Sequence, residues 1–157
     1  MRIEKQTLWV LLIFTVTILY GCGGNFDFSE KAQVKGFLDA SNLFLEAGRY
    51  RKKIFEENQP ERIRMGTITD EQLMTFINKL EAARSEASKV SDSVLSKIHP
   101  ELPNAFNNLM IQSIDRQISS MNQGEIDQVL EDQVLGMTLH NEWIKWWNAN
   151  HRQFVTK

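Results

Sequence analysis

Hydrophobic side chains in residues 29–157 recur at steps of three and four, which is the spacing of amphipathic helices. The first such stretch covers residues 29–58. Ser29 is suited to cap its start, and Pro60 lies just beyond its end. A glycine in a helix interior costs about 1 kcal/mol relative to alanine. The pattern therefore predicts a first helix over residues 29–58, whose weakest point for a kink or break is Gly48.

The second helix has the clearest signal. Thr69 followed three residues later by Gln72 matches a capping box. Apolar positions then alternate in steps of four and three, as in the seam of a helix bundle; they are Leu73, Phe76, Leu80, Ala83, Ala87, Val90 and Val94. Ala83 and Ala87 are small, which lets a neighbouring helix approach closely. We expect one helix up to Ile98, followed by a turn over residues 99–104 that contains two prolines.

Two further helices complete the pattern. The third covers residues 105–122 and is closed by Gly124, and the fourth runs from Glu125 to about Phe154. At 1.5 Å per residue, the fourth helix draws level with the start of the third near Trp143 and then projects beyond it. No strand alternation of useful length appears. Four amphipathic helices with short connections predict an all-α, up-and-down antiparallel four-helix bundle.

The first 22 residues have a different character. Arg2 and Lys5 give a positive start, and the 13 residues from Leu8 to Tyr20 are all apolar or aromatic apart from two threonines. That run is shorter than the roughly 20 residues that a membrane-spanning helix needs. It fits the apolar region of a secretory signal peptide. The alternative is an uncleaved signal anchor.

The tetrapeptide Leu19-Tyr20-Gly21-Cys22 at the end of this run resembles the lipobox of bacterial lipoproteins. The resemblance implies diacylglycerol on the Cys22 thiol and cleavage after Gly21. It divides the chain into a signal peptide (1–21), a lipidated tether (22–28) and a helical bundle domain (29–157). Gly23 in the sorting position implies the periplasmic side of the outer membrane in a bacterium with two membranes, and otherwise the outer face of the plasma membrane.

Composition and charge narrow the function classes. The chain has 18 basic and 20 acidic residues, a formal charge of −2. Domains that bind nucleic acid by neutralising phosphates carry a clear basic excess, so no nucleic-acid partner is expected. Cys22 is the single cysteine, which excludes an internal disulfide and any site with several thiolate ligands.

Motifs for catalysis, metals and cofactors are missing from the sequence. The residues three before His99, His140 and His151 are not acidic, so the Glu-x-x-His pairs of di-iron bundles are absent. Haem-attachment, phosphate-loop, zinc-protease and serine-hydrolase motifs are also absent. His140 and His151 share a helix face but lie about 16 Å apart, too far to share one ion. We therefore expect no enzyme, no metal site and no cofactor.

Two clusters of side chains remain as candidates for a functional role. Trp143, Trp146 and Trp147 span more than half of the helix circumference, so with Phe154 they are candidates for contact with a membrane or a partner. The alternative is that they form the wide end of the core. A basic run is expected to pair with acidic residues of the fourth helix. The basic residues are Arg49, Arg51, Lys52, Lys53, Arg62 and Arg64, and the acidic ones are Glu125, Asp127, Glu131 and Asp132.

These observations predict a membrane-anchored helical lipoprotein that acts as an adaptor or structural component of the bacterial cell envelope. Its membrane contact is the lipid on Cys22, and its expected partner is an envelope protein. The alternative, favoured by the aromatic fourth helix, is a carrier that holds a small apolar or haem-like ligand between helices.

Overall fold

A computed structural model describes residues 26–57, 69–122 and 126–151, and every regular element in these ranges is a helix. The helices are α1 (Phe28–Glu57), α2 (Asp70–Ala87), α3 (Asp92–Ile98), α4 (102–122) and α5 (Ile126–Asn150). Helix α4 consists of the consecutive segments Leu102–Ala105, Phe106–Ile111 and Gln112–Asn122, of which the middle one is a π-helix. The all-α class is confirmed. Residues 1–25, including Gly21 and Cys22, lie outside the described residues.

Helix α1 begins one residue earlier than expected and has a different cap. The Asp27 carboxylate accepts a hydrogen bond from the Glu30 N–H at 2.8 Å, and the Glu30 carboxylate accepts one from the Asp27 N–H at 3.2 Å. This reciprocal pair is a capping box. The prediction of Ser29 as the cap was therefore wrong, since Ser29 lies inside the first turn. Helix α1 also continues without a break through Gly48.

The predicted second helix is two helices, α2 and α3. The capping box at Thr69 and Gln72 is confirmed, with reciprocal hydrogen bonds of 3.1 and 3.2 Å. The break comes at residues 88–91. In a continuous helix the Ser91 N–H would donate to the carbonyl of residue 87, but here it donates to Oε1 of Gln33 in α1 at 2.9 Å. Serine side chains compete with helical hydrogen bonds. The hydrogen bond from the Ser91 N–H to the Gln33 side chain replaces the helical one, so the helix is interrupted here.

Helix α4 starts three residues before the predicted position. Pro103 lies in its first turn, where its missing N–H costs no helical hydrogen bond. The expectation that both prolines belong to the turn was wrong for Pro103. The π-helical segment that follows places Phe106 and Met110 in the core.

Contacts between side chains give the relative directions of the helices. Helices α1 and α4 meet through pairs with a constant offset in residue number, so they run parallel; the pairs are Phe37–Phe106 and Ser41–Met110. Helices α1 and α5 meet through pairs with opposite numbering, so they run antiparallel; the pairs are Phe37–Trp147 and Phe44–His140. The approach of Gly36 to Glu86 and the Glu46–Lys79 ion pair make α1 and α2 antiparallel in the same way.

The core lies between these helices and includes five of the seven residues expected from the seam of the second helix, namely Phe76, Leu80, Ala83, Ala87 and Val94. The other two, Leu73 and Val90, are half-buried. Ala83 and Ala87 are buried, as their small size and position predicted. The large buried side chains come from all five helices; they are Phe37, Phe44, Leu80, Leu95, Phe106, Ile114 and Trp143. Within the described ranges, no helix has the length and apolarity that crossing a bilayer requires.

Candidate functional site

The three tryptophans proposed as contact residues lie at the end of the molecule where α1 begins. Trp143 is 1% exposed and belongs to the core. Trp146 and Trp147 follow it by three and four residues, so the three rings lie on one helix face, within about 100° of its circumference. The expectation that they span more than half of the circumference was wrong. The ring centroids of Trp146 and Trp147 each lie 5.7 Å from that of Trp143, in stacked geometry. Phe154, the fourth proposed contact residue, lies outside the described residues.

Other helices cover the outer tryptophans in part. Trp147 packs against Phe37 of α1 at a centroid distance of 5.8 Å, and Trp146 packs edge-on against His99, in the turn between α3 and α4, at 6.2 Å. Both indoles remain half-buried. The ring centroids of Phe106 in α4 and Trp143 lie 6.3 Å apart. Trp143 therefore lies level with the start of α4, as the helix lengths predicted. We call Phe37, Phe106 and the three tryptophans the aromatic cluster.

The first described residues of the chain pack at this same end of the molecule. Phe26 packs against the core, with the Lys97 ammonium 5.9 Å from its ring centre. Lys97 of α3 also forms an ion pair with Glu30 in the first turn of α1. The first described residue, Phe26, thus already packs on the core, and it lies only four residues after Cys22 in the sequence.

Phe28 is the feature of this end that sequence reasoning missed. Its side chain is 92% exposed, whereas most phenylalanines of the described chain are buried or half-buried. Phe28 was expected to lie in the tether, because Ser29 was the predicted N-cap. A signal was present: Asp27 and Glu30 have the spacing of a capping box, and that box puts Phe28 at the first helical position.

His140 occupies a tight contact between α5 and α1. Its ring packs edge-on against Phe44 at 4.4 Å and lies directly over Gly48. Burial lowers the pKa of His140 to about 4, and the nearby positive charge of Arg51 acts in the same direction. The imidazole is therefore neutral at pH 7 and acts as a packing group here. Burial also lowers the pKa of Arg51.

Helices α4 and α5 meet through a buried polar network. The Ser113 hydroxyl donates to the Gly136 carbonyl at 2.6 Å, and the Gln117 amide donates to the Ser113 hydroxyl at 3.0 Å. A methyl group on Gly136 would lie 2.7 Å from the Gln117 side chain, so only a glycine allows this approach. Every buried side-chain polar atom in the described residues has a hydrogen-bond partner.

Asp132 belongs to the same helix pair. Its carboxylate, 1% exposed, forms a 2.6 Å ion pair with Arg116 of α4, which is not one of the basic residues considered in the sequence. Arg116 can reach it because it lies on the adjacent antiparallel helix. Arg62, Arg64 and Glu125 lie outside the described residues, and the expected pairing of the basic run with the acidic residues of the last helix stays a prediction.

The described residues also define two surface depressions. One, of about 300 Å³, lies on α1 and α2 and is lined by Asp39, Asn42, Leu43, Glu46 and Glu86. The other, of about 430 Å³, lies on α4 and is lined by Gln112, Asp115, Arg116 and Ser119. No group of three or more metal-ligating side chains occurs in the described part of the chain.

The chain was compared with protein-family models, curated proteins and solved structures. None of them matches.

Proposed function

We propose that this protein is an exported bacterial lipoprotein, cleaved after Gly21 and anchored by lipid on Cys22. Its helical domain serves as a non-catalytic adaptor or structural component of the cell envelope. The anchor places it on the periplasmic side of the outer membrane in a bacterium with two membranes, and on the outer face of the plasma membrane otherwise. A buried methylene contributes about 0.8 kcal/mol, so two or three acyl chains anchor a protein stably.

The observation that carries this proposal is the short distance between the lipobox-like tetrapeptide and the fold. An extended chain covers at most about 3.6 Å per residue, so the Cα atoms of Cys22 and Phe26 lie no more than about 14 Å apart. Phe26 already packs against the core. A lipid on Cys22 would thus hold the domain close to the membrane, with the aromatic cluster at the near end.

The helix directions support a bundle as the shape of the anchored domain. Helix α4 runs parallel to α1, and α2 and α5 run antiparallel to it. We infer that α1, α2, α4 and α5 form an up-and-down four-helix bundle, in which α3 links the second and third long helices at the membrane-near end.

The packing of the aromatic cluster supports the adaptor over the carrier. A ligand held between helices would need space beside the aromatic residues of α5. Here the rings of Phe37 and Phe106 occupy the space next to Trp143 and Trp147. The depressions described above on α1 and α2 and on α4 are lined mainly by polar and charged side chains, which do not suit an apolar ligand.

Exposed apolar side chains that an envelope partner could cover lie on the half of the domain remote from the proposed anchor. Val134 and Leu135 of α5 and Met74 of α2 are exposed apolar side chains. They lie beyond His140 and near the start of α2, towards the end where α1 finishes. Exposed apolar groups lose water favourably when a partner covers them.

The first test concerns the anchor. Cys22→Ser removes the thiol that accepts lipid, so it should abolish labelling by a fatty-acid analogue and leave an unprocessed precursor. Gly24→Ala, two residues further on, is the matched control and should be processed and labelled normally. Labelling of the Cys22→Ser protein at the parent level would contradict the proposal.

The second test concerns the adaptor role. A photo-crosslinking amino acid at Val134 should yield one defined protein adduct in intact cells, whereas the same group at the exposed Asn148, near the anchored end of α5, should not. A visible absorption band or a co-purified small ligand in the parent protein, with no adduct from Val134, would instead favour the carrier.

A further inference from the structure

The exposed Phe28 is unusual because the helix itself holds it outside. The capping box of Asp27 and Glu30 fixes the first turn of α1, and Val34, Phe37 and Leu38 occupy the buried side of the same helix. Phe28 therefore cannot turn into the core while α1 keeps this register. A large aromatic ring remains in water at the first helical position.

Phe28 begins an exposed stripe along α1. Lys31, Ala32 and Lys35 follow it at steps of three, four and seven residues, and all of them are exposed. Lys35 is ion-paired with Asp39 further along the helix, whereas Lys31 is the first cation along this stripe. An apolar ring with a lysine one turn behind it is suited to a membrane interface, because the lysine stem lies along apolar surface while its ammonium stays at the headgroups.

The short length of chain between Cys22 and Phe28 limits how far Phe28 can lie from the membrane. Phe28 lies six positions after Cys22 in the sequence, so their Cα atoms lie at most about 22 Å apart. The acyl chains on Cys22 lie in the bilayer, which keeps the Cys22 backbone at headgroup level. The headgroup region is itself about 5 to 7 Å deep on each side. Lipid is therefore within reach of Phe28 when the protein is anchored.

We propose that Phe28 inserts into the interface of the bilayer that carries the Cys22 lipid, with Lys31 beside the headgroup phosphates. This inference rests on the proposed lipid anchor. It assigns to Phe28 the membrane contact that the tryptophan content of α5 first suggested, while Trp143, Trp146 and Trp147 pack the end of the core. The lipid and Phe28 then hold the domain at two points, which fixes the end of α1 against the membrane.

The anchored protein allows a direct measurement. Cys22 is the single cysteine, and its thiol carries the lipid in the mature form, so Phe28→Cys provides one free thiol for a polarity-sensitive bimane label. The labelled lipoprotein is reconstituted into phosphatidylethanolamine and phosphatidylglycerol vesicles with or without nitroxide lipids. The matched control is Met74→Cys, an exposed apolar position on α2. We expect a blue shift and nitroxide quenching for the label at residue 28, and neither for the label at residue 74.

Flotation of the vesicles separates the two proposals. If the protein does not float with the vesicles, the lipid anchor itself is wrong. If it floats but the two labels are quenched equally, Phe28 has no special contact with lipid and this inference is overturned. It is also overturned if the label at residue 28 is shielded from aqueous iodide but not quenched by nitroxide lipids, because a protein surface would then cover Phe28.

Discussion

Gly36 and Gly48 belong to the same helix, but α1 approaches its neighbours more closely at Gly48. A methyl group on Gly48 would lie 2.6 Å from Cε1 and Nε2 of the His140 ring. A methyl group on Gly36 would lie 3.5 Å from its nearest neighbours, in ordinary van der Waals contact. The same substitution should therefore have opposite effects at the two positions.

We expect Gly36→Ala to raise the free energy of unfolding by about 1 kcal/mol, through helix propensity. Gly48→Ala should lower it, because an overpacking cost of about 1 to 3 kcal/mol outweighs the same gain. Chemical denaturation measures both changes. In a His140→Ala background the clash is removed, so Gly48→Ala should become stabilising. If Gly48→Ala is still destabilising in the His140→Ala background, the contact with His140 is not the cause of the destabilisation.

His140 should make stability depend on pH. The unfolded chain binds a proton on this residue near pH 6.5, whereas the folded protein binds it only near pH 4. Stability is therefore complete above about pH 6.5 and falls as the pH decreases towards 4, with a total loss of roughly 3 kcal/mol.

The measurement is the free energy of unfolding from pH 4 to 7 for the parent protein and for His140→Phe. The phenyl ring keeps an aromatic group beside Phe44 and Gly48 but takes up no proton. Carboxylates titrate in both proteins, so the difference between the two curves isolates His140. A difference that is constant with pH would show that His140 is not buried as described.

At the scale of the helices, the small residues of α2 should be sensitive to enlargement. Ala87 is buried at the end of α2. Ala87→Leu should overpack this contact and lower the free energy of unfolding by about 1 to 3 kcal/mol. Ala32→Leu adds the same atoms on the exposed side of α1 and should change stability by less than about 0.5 kcal/mol. Equal melting temperatures for the two variants would place Ala87 on an open face.

The helices differ in how far local sequence determines them. The start of α2 was predictable because Thr69 and Gln72 are three residues apart, and the side chain of each accepts a hydrogen bond from the backbone N–H of the other. The break between α2 and α3 was not, because its hydrogen-bond acceptor, Gln33, lies 58 residues away from Ser91. The π-helical segment of α4 likewise preserves the apolar spacing of Phe106 and Met110, so the hydrophobic pattern alone reads as an ordinary helix.

The candidate site was also predictable only in part, because some of its contacts join residues that are distant in sequence. Helix lengths placed Trp143 level with the start of α4, and the contact with Phe106 agrees. The direction in which each indole points depends on Phe37 and His99, which are distant in sequence. The exposure of Phe28 depends on the cap formed by the preceding residue, Asp27, and the prediction of Ser29 as the cap concealed it.

At the scale of the whole molecule, the aromatic cluster joins three helices that are distant in sequence. Phe37 of α1 is fully buried and contacts Phe106 of α4 and Trp147 of α5. Phe37→Ala should lower the free energy of unfolding by about 3 to 5 kcal/mol. Near-ultraviolet circular dichroism, which reports the tryptophans, and far-ultraviolet circular dichroism, which reports the helices, should be lost in one transition.

The matched control is Phe28→Ala, which removes the same ring from an exposed position. Without a membrane it should change stability by no more than about 0.5 kcal/mol. If the tryptophan signal of the Phe37→Ala protein is lost while its helix signal persists, the aromatic end unfolds separately from the remainder.

The antiparallel arrangement of α1 and α5 determines how the domain would bear a mechanical load. Tension from an anchor on Cys22 enters at Phe26 and pulls α1 towards the membrane. A partner held at Val134 pulls α5 the opposite way, along an axis beside that of α1. Contacts between the two helices, such as those of Phe37 with Trp147 and Phe44 with His140, are then strained together in shear. A domain loaded in this geometry resists extension better than one whose contacts are peeled apart one after another.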